Sequence, residues 1–406
     1  MEIVHKNCAG LDVHKKTVVA CVHSNGKKGQ VRTFATTTRS LLEMMDWFVD
    51  CKVEVVAMES TGVYWKPVWN ILEGSEFQLM LVNAQHIKQV PGRKTDVKDA
   101  EWIAELLRHG LLKPSLVPSR DRRELQELVR FRRSMIEERA RVTNRIHKVL
   151  EGANIKVTSV LTDVTGKTGT AILKALVEGQ QTPAQMADLA VGKLVKKREQ
   201  LEESLVGSMN QHQRFMLSVL TDGLFKMNEQ IDSMDLEVEK RMRPFEAQLK
   251  LLDGIPGFAL RGAQDLLAEI GIDMGVFPSD RHLASWTQLC PGNSYSAGKK
   301  LRSKSRGTPY VKSLLVQLAW PAVRTRGSYF RNFFERLKAR RGAKRAIVAV
   351  AHAMIVTVYH VLSKMTPFQD LGANHHDELN KEKVIKRLSA RLGRLGFDVA
   401  LTPTAA

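Results

Sequence analysis

The chain lacks any apolar run of about 18 residues, the length that spans a bilayer, so no membrane segment is expected. Its opening, MEIVHKNCAGLD, puts charged and polar residues where a secretion signal needs a continuous apolar stretch, and a cytoplasmic protein is expected. Cysteine is scarce: Cys8, Cys21, Cys51 and Cys290 are scattered, with no Cys-x-x-Cys spacing. That argues against a structural zinc site and against a disulfide framework, and favours small buried apolar side chains in a reducing compartment. Aromatics make up only 6% of the residues, few for a protein that holds single strands mainly by stacking on their bases. Acid is also short, with 43 Asp and Glu against 62 Lys and Arg, a formal charge of +19. An excess of that size suits a polyanionic partner, because each phosphate neutralised releases counterions.

Within 406 residues there is room for two or three domains. Up to about residue 110 strand and helix signals alternate. Residues 7–13, 17–22 and 30–35 read as three strands joined by tight turns, an antiparallel meander. Residues 38–49 have helical spacing (Leu41, Leu42, Met45, Phe48), and 53–58, VEVVAM, is apolar enough for a buried strand. A helix over 64–72, a strand over 78–82 and a helix over 96–107 follow. The order β-β-β-α-β-α-β-α is that of the RNase H-like fold. Residues 119–152 read as one long basic helix, with ten Lys or Arg and five acids between Arg120 and Lys148. Residues 153–185 suggest a small insert. Met216, Leu220, Leu224, Met227, Ile231, Met234 and Val238 then make a heptad-like seam, expected in a coiled-coil hairpin or a dimer contact. The division expected is 1–150, an α/β RNase H-fold domain with its basic helix; 151–250, a helical coiled-coil region; 251–370, a mostly α-helical domain; and 371–406, a polar, poorly ordered tail.

Four carboxylates stand out in the first region. Asp12 lies near the end of the first strand and Glu59 directly follows the buried strand, while Asp96 and Asp99 share one face at a helix start. In an RNase H-like sheet the first and fourth strands are neighbours and a late helix packs against them, so the four converge. Bare carboxylates that close repel and raise one another's pKa. Divalent cations relieve this, and oxygen ligands with open positions suit Mg²⁺ or Mn²⁺. Two such ions can clamp the attacking and leaving oxygens of a phosphodiester.

The last region has Gly-Ile-Pro-Gly at 254–257 between two helical stretches, a helix-hairpin-helix-like turn whose backbone N–H groups can meet a phosphate. A Gly- and Ser-rich loop at 291–299, PGNSYSAGK, runs into strongly basic sequence. Residues 299–345 hold 15 Lys or Arg and one acid, Glu335. A loop serine in such a field can attack a phosphodiester, the charge stabilising the anionic transition state, provided a base activates it. Lys94, Arg132, Arg133, Lys299, Lys300, Arg302, Lys304 and Arg306 are expected to contact nucleic acid.

The strings GLDVHK (10–15), MESTGVYW (58–65) and GRKTDVKDAEWIA (92–104) closely resemble the Asp-Glu-Asp-Asp transposases of bacterial insertion sequences, the bridge-RNA-guided recombinases with a RuvC-like N-terminal domain. The resemblance implies that Asp12, Glu59, Asp96 and Asp99 are catalytic, metal-binding acids. It implies supporting roles for Thr61, Gly62, Tyr64, Trp65, Lys94 and Thr95, although Tyr64 and Trp65 also read plainly as core. Ser296, in Ser-Ala-Gly-Lys at 296–299, matches the context of the family's nucleophilic serine in its C-terminal transposase domain, with Ser294 as rival and Ser303 and Ser305 behind. The implied partners are donor and target double-stranded DNA and a non-coding guide RNA. The implied assembly is a homodimer that forms a tetramer, and the implied setting is the nucleoid of a bacterial cytoplasm. A metal-dependent nuclease of Holliday-junction type, with the same acids and water as nucleophile, is the alternative.

Overall fold

The computed structural model describes residues 2–24, 29–59, 62–83, 99–290, 294–296, 299–301 and 310–400, with 294–296 and 299–301 described by their backbone. The chain divides into two compact units, Met1–Arg123 and Glu124–Ala406.

The first unit is a five-stranded sheet with helices on both faces. Strands β1 (Cys8–Val13), β2 (Thr17–His23) and β3 (Gln30–Ala35) form the antiparallel meander. After α1 (Thr38–Asp50), strand β4 (Val55–Glu59) returns parallel to β1. Helix α2 (Trp65–Leu72) then leads to β5 (Gln78–Val82), parallel to β4, so the sheet order is β3-β2-β1-β4-β5. Side chains alternate along each strand. Ala9, Leu11 and Val13 of β1 join Val56 and Met58 of β4 in a core with Leu41, Met44 and Phe48 of α1 and Val68 and Leu72 of α2. On the other face Cys8, Val55 and Ala57 meet Ile103 and Leu107 of α3 (Asp99–Arg108). The buried stripe of α1 runs through Leu41, Met44, Trp47 and Phe48; Leu42, expected inside, is 42% exposed. Trp47 takes the inner position and packs against Phe34 at 5.7 Å. Arg123 ends the unit as a clamp, donating to both oxygens of Glu73 (2.9 and 2.7 Å) and to Asn70 Oδ1 (2.9 Å). These bonds hold the Glu73 carboxyl below its ordinary pKa.

Among the described residues the second unit is helical but for one small ribbon. Helix α4 (Arg120–Gly152) continues through it from Glu124. Next come α5 (Lys167–Glu178), α6 (Pro183–Ala187) and α7 (Arg198–Leu205). The 32-residue α8 (Gln211–Met242) starts on a capping box, Asn210 Oδ1 accepting from Gln213 N and Gln213 Oε1 from Asn210 N. Leu217, Leu224, Ile231 and Val238 are fully buried seven residues apart, the coiled-coil period, although the seam enters at Leu217 and Met216 stays exposed. The partner of α8 is α4 of the same chain, running antiparallel: Glu124 pairs with Arg241, Arg132 with Asp235 and Arg139 with Asn228. Residues 153–205 build their own core on one end of this pair, around Ile155, Ile172, Leu176 and Leu201.

The other end of the pair joins the larger core with α9 (Glu246–Asp253), α10 (Leu260–Ile270), α11 (Asp280–Trp286), α12 (Tyr310–Ala322), α13 (Tyr329–Arg341) and α14 (Ala343–Lys364). In the turn between α9 and α10, Gly257 has φ +92°, and a Cβ there would lie 2.3 Å from the Leu318 carbonyl oxygen. Only glycine lets this turn sit on α12. Helix α14 is long and apolar enough to cross a membrane by composition alone, with half of that stretch buried against the core through residues such as Val350, Met354 and Val358. The sequence reads 291–299 as a loop, but β6 (Ser294–Ser296) and β7 (Lys299–Leu301) pair there as a short antiparallel ribbon. Strands of three residues carry too little alternation to be seen in a sequence. The tail, expected to be polar and poorly ordered, carries α15 (His375–Glu378) and α16 (Lys381–Arg394). Ile385, Leu388 and Leu392 give α16 the helical spacing that the polar composition hides.

Candidate active site

The parallel register of β1 and β4 pairs Leu11 with Met58, which brings Asp12 and Glu59 level one residue further on. By the strand alternation both belong to the face that carries α3, together with Cys8, Gly10, Val55 and Ala57. Gly10 is what lets α3 come down. A Cβ on it would lie 2.3 Å from Ala104 N and 2.6 Å from Ala100 O. Ala100 and Ala104, both fully buried, complete the close approach, and the Cys8 thiol reaches the Ala104 carbonyl at 3.9 Å. Asp99, the first residue of α3, is thereby carried to the same edge of the sheet as Asp12.

The electrostatics register this meeting. Burial pushes the Asp12 carboxyl above its ordinary pKa, and the negative charges of Asp99 and Glu59 push it the same way. His14 opposes them, with Nε2 3.0 Å from Asp12 Oδ2. The sequence reading passed over both His14 and Gly10, although the two stand in the same GLDVHK string. The signal for His14 was the period of two that puts it on the side of Asp12.

Asp96 and Lys94 lie outside the described residues, as do Thr61 and Thr95. Among the described residues no group of three His, Cys, Asp or Glu side chains is gathered tightly enough to hold a metal ion. Asp12, Glu59 and Asp99 offer the oxygen chemistry that Mg²⁺ or Mn²⁺ prefers, and their mutual repulsion is what a cation would relieve. Of the residues flanking Glu59, Gly62 has φ +56°, Tyr64 is 40% exposed, and Trp65 packs edge-on against Trp69 at 5.8 Å, partly buried against the core. The core reading thus suits Trp65 and fails for Tyr64.

In the second unit, Ser296 pairs with Lys299, Tyr295 with Lys300 and Ser294 with Leu301 across the β6–β7 ribbon. Arg302, Ser303, Lys304, Ser305 and Arg306 lie outside the described residues. Two expected nucleic-acid contacts are corrected. Arg132 is 1% exposed and donates to Asp235 Oδ1 (2.9 Å), Gln264 Oε1 (3.0 Å) and Asp265 Oδ1 (2.7 Å). A guanidinium so enclosed has no face left for a phosphate. Arg133 stacks over the Tyr310 ring at 4.8 Å and donates to Ser313 Oγ at 3.1 Å. Arg130 makes a two-pronged pair with the buried Glu269 at 2.6 and 2.7 Å. The arginines on this stretch of α4 bind the unit together.

Comparison with known proteins fits this geometry. Residues 9–155 match a DEDD transposase domain of the IS110 type, described as transposase. Residues 249–335 match the transposase family IS116/IS110/IS902. The chain thus carries a DEDD transposase domain of the IS110 type and, C-terminal to it, a domain of the IS116/IS110/IS902 transposase family. It is 24% identical to the transposase for insertion sequence element IS1328 of Yersinia enterocolitica, over 76% of this chain and 82% of that one. A probable family 20 transposase of Pseudomonas aeruginosa is 23% identical over 80% and 89%. A pilin gene-inverting protein of Moraxella bovis is 25% identical over 46% of this chain and 61% of its own. This transposase is an enzyme of a class that cleaves and rejoins DNA, and the DEDD domain suggests dependence on a divalent metal.

Proposed function

We propose that this IS110-type transposase is an RNA-guided recombinase that moves its own element, with Asp12, Glu59, Asp96 and Asp99 as the metal-binding acids and Ser296 as the nucleophile. The observation that carries the reading is the level placement of Asp12 and Glu59 on neighbouring strands, with Asp99 delivered to them by the helix seated on Gly10. Bound Mg²⁺ or Mn²⁺ would neutralise these carboxylates and polarise the scissile phosphate. Ser296 Oγ gives up its proton to a base of the carboxylate site and attacks the phosphorus. The Ser–O–P bond forms as the P–O3′ bond breaks, and the proton taken from the serine passes to the departing O3′, leaving a 5′-phosphoserine and a free 3′-hydroxyl. Attack by the 3′-hydroxyl of the exchanged strand then releases the serine, so bond energy is conserved.

In this reading Ser296 of one subunit meets the acids of another, which requires a dimer per site and a tetramer per synapse. Donor and target DNA are chosen by base pairing with a guide RNA, while the protein holds backbones. The net charge of +19 supports a protein of that kind. So does the likeness to a protein whose name says that it inverts a pilin gene.

The test is a covalent adduct. Purified protein, guide RNA and labelled donor DNA are incubated with Mg²⁺ and resolved under denaturing conditions. Wild type is expected to carry DNA covalently, Ser296→Ala to lose both the adduct and recombination, and Asp12→Ala to lose both as well. An adduct of wild-type yield in Ser296→Ala moves the nucleophile to Ser294. Cleavage with no adduct in any variant gives the water-dependent nuclease instead.

A further inference from the structure

In a chain poor in aromatics, one exposed indole stands among cations. Trp320, near the end of α12, is 42% exposed. It rests edge-on against Phe334 of α13, ring centroids 6.0 Å apart, and Phe334 is itself buried. Lys338 lies one turn further along α13, its Nζ 5.6 Å from the Phe334 ring. On the other side Arg331, one turn before Phe334, donates to the Arg324 carbonyl at 3.5 Å, and both side chains are exposed. The Trp320–Phe334 pair thus stands in a run of exposed cations, with Arg324 four residues after the indole and Arg331 and Lys338 about one turn either side of Phe334. Glu335, the one acid between residues 299 and 345, meets Lys338 at 3.4 Å in an exposed pair. Such a pair is worth under about 1 kcal/mol and yields readily to a phosphate.

We infer that this surface holds an unpaired stretch of nucleic acid, one base stacking on Trp320 and the neighbouring phosphates on Arg324, Arg331 and Lys338. Cations alone would suit a duplex, whose backbone presents phosphates and hides its bases. An indole adds something only where a base is free to leave its stack, and every base has a face to offer. The shared chemistry is an unpaired nucleotide, from a DNA strand opened during exchange or from single-stranded RNA. The inference goes beyond the recombinase reading and does not depend on Ser296 or on the acids.

The test uses the full-length chain and three labelled probes: oligo-dT, oligo-U and a duplex of equal length. Trp320→Ala is expected to weaken single-strand binding roughly 5- to 150-fold and to leave duplex affinity within twofold. Trp320→Phe is expected to restore most of the loss, and unchanged thermal unfolding of both variants excludes a folding defect. Loss on oligo-dT alone makes the ligand DNA, loss on oligo-U alone makes it RNA, and loss on both makes the surface indifferent to the sugar. Equal loss on duplex and single strands, or no loss on either single strand, overturns the inference.

Discussion

Helix α4 and the corner where α13 turns into α14 are both rich in arginine, and their guanidiniums end in opposite surroundings. On α4, Arg132 is buried against Asp235 and Asp265, and Arg130, itself half-exposed, reaches the buried Glu269, carboxylates that lie more than a hundred residues away in sequence. At the corner, Arg340, Arg341, Lys344 and Arg345 remain exposed around Gly342, and the single local acid is taken by Lys338. The lesson is that charge density along a helix does not tell a nucleic-acid face from an internal network. What decides is whether distant acids fold back to the same place. A buried arginine stripped of its carboxylates would be costly, so the α4 set must be closed, and an open set on the surface is free to take phosphates.

Breaking the closed set should have the largest effect. Arg132→Ala leaves Asp265 buried without its partner and is expected to cost about 3–5 kcal/mol in urea unfolding. Arg132→Lys is not expected to rescue it, since one ammonium cannot span two carboxylates and an amide as the fork does. A cost below about 1 kcal/mol would remove the distinction between the two helices. The loss should also depend on pH. Burial already holds the Asp265 carboxyl above its ordinary pKa, with Arg132 opposing. Without Arg132 it rises further, so the deficit is expected to grow as pH rises above the usual aspartate range and to level off once the raised carboxyl has been passed. It should shrink below the usual aspartate value of about 4, where the group is protonated both folded and unfolded.

Next in size comes the sheet face of the first unit, where close packing takes the place of charge. Gly10→Val forces α3 off β1 and is expected to cost about 1–3 kcal/mol. Strand cleavage should fall by more than the lost folded fraction explains, because Asp99 moves with the helix. Activity that tracks folded protein alone would detach Gly10 from the site. The smallest effects are expected at the open corner. Arg340→Ala, Arg341→Ala and Lys344→Ala should each change stability by no more than about 0.5 kcal/mol. Each is nevertheless expected to lower the slope of log affinity for duplex DNA against log salt by about 0.9. Unchanged salt slopes would make the corner an ordinary solvated surface.

These same contrasts mark how far the sequence could be read. The strand and helix order of the first unit was legible because periods of two and 3.6 are local, and Asp12 and Glu59 followed from strand ends. The seam of α8 was legible apart from its first turn, where Leu217 and not Met216 faces inward. The burial of Arg132 was not legible, since no local pattern joins it to Asp235 and Asp265. Gly10 was invisible for a related reason: its role is to be approached by Ala100 and Ala104, ninety residues later. His14 was legible in principle from strand alternation. The ribbon at Ser296 was too short to register.

The account stands or falls on the carboxylate face, and Asp12→Asn tests it most directly. The variant keeps the size and most hydrogen bonds of the side chain while removing the charge that Asp99 and Glu59 oppose. Its unfolding midpoint and its strand cleavage with Mg²⁺ should be measured side by side. The account predicts wild-type or slightly higher stability, from relief of a half-buried charge and of like-charge repulsion, together with loss of cleavage by at least about a hundredfold. A stable Asp12→Asn protein that cleaves at the wild-type rate would contradict it.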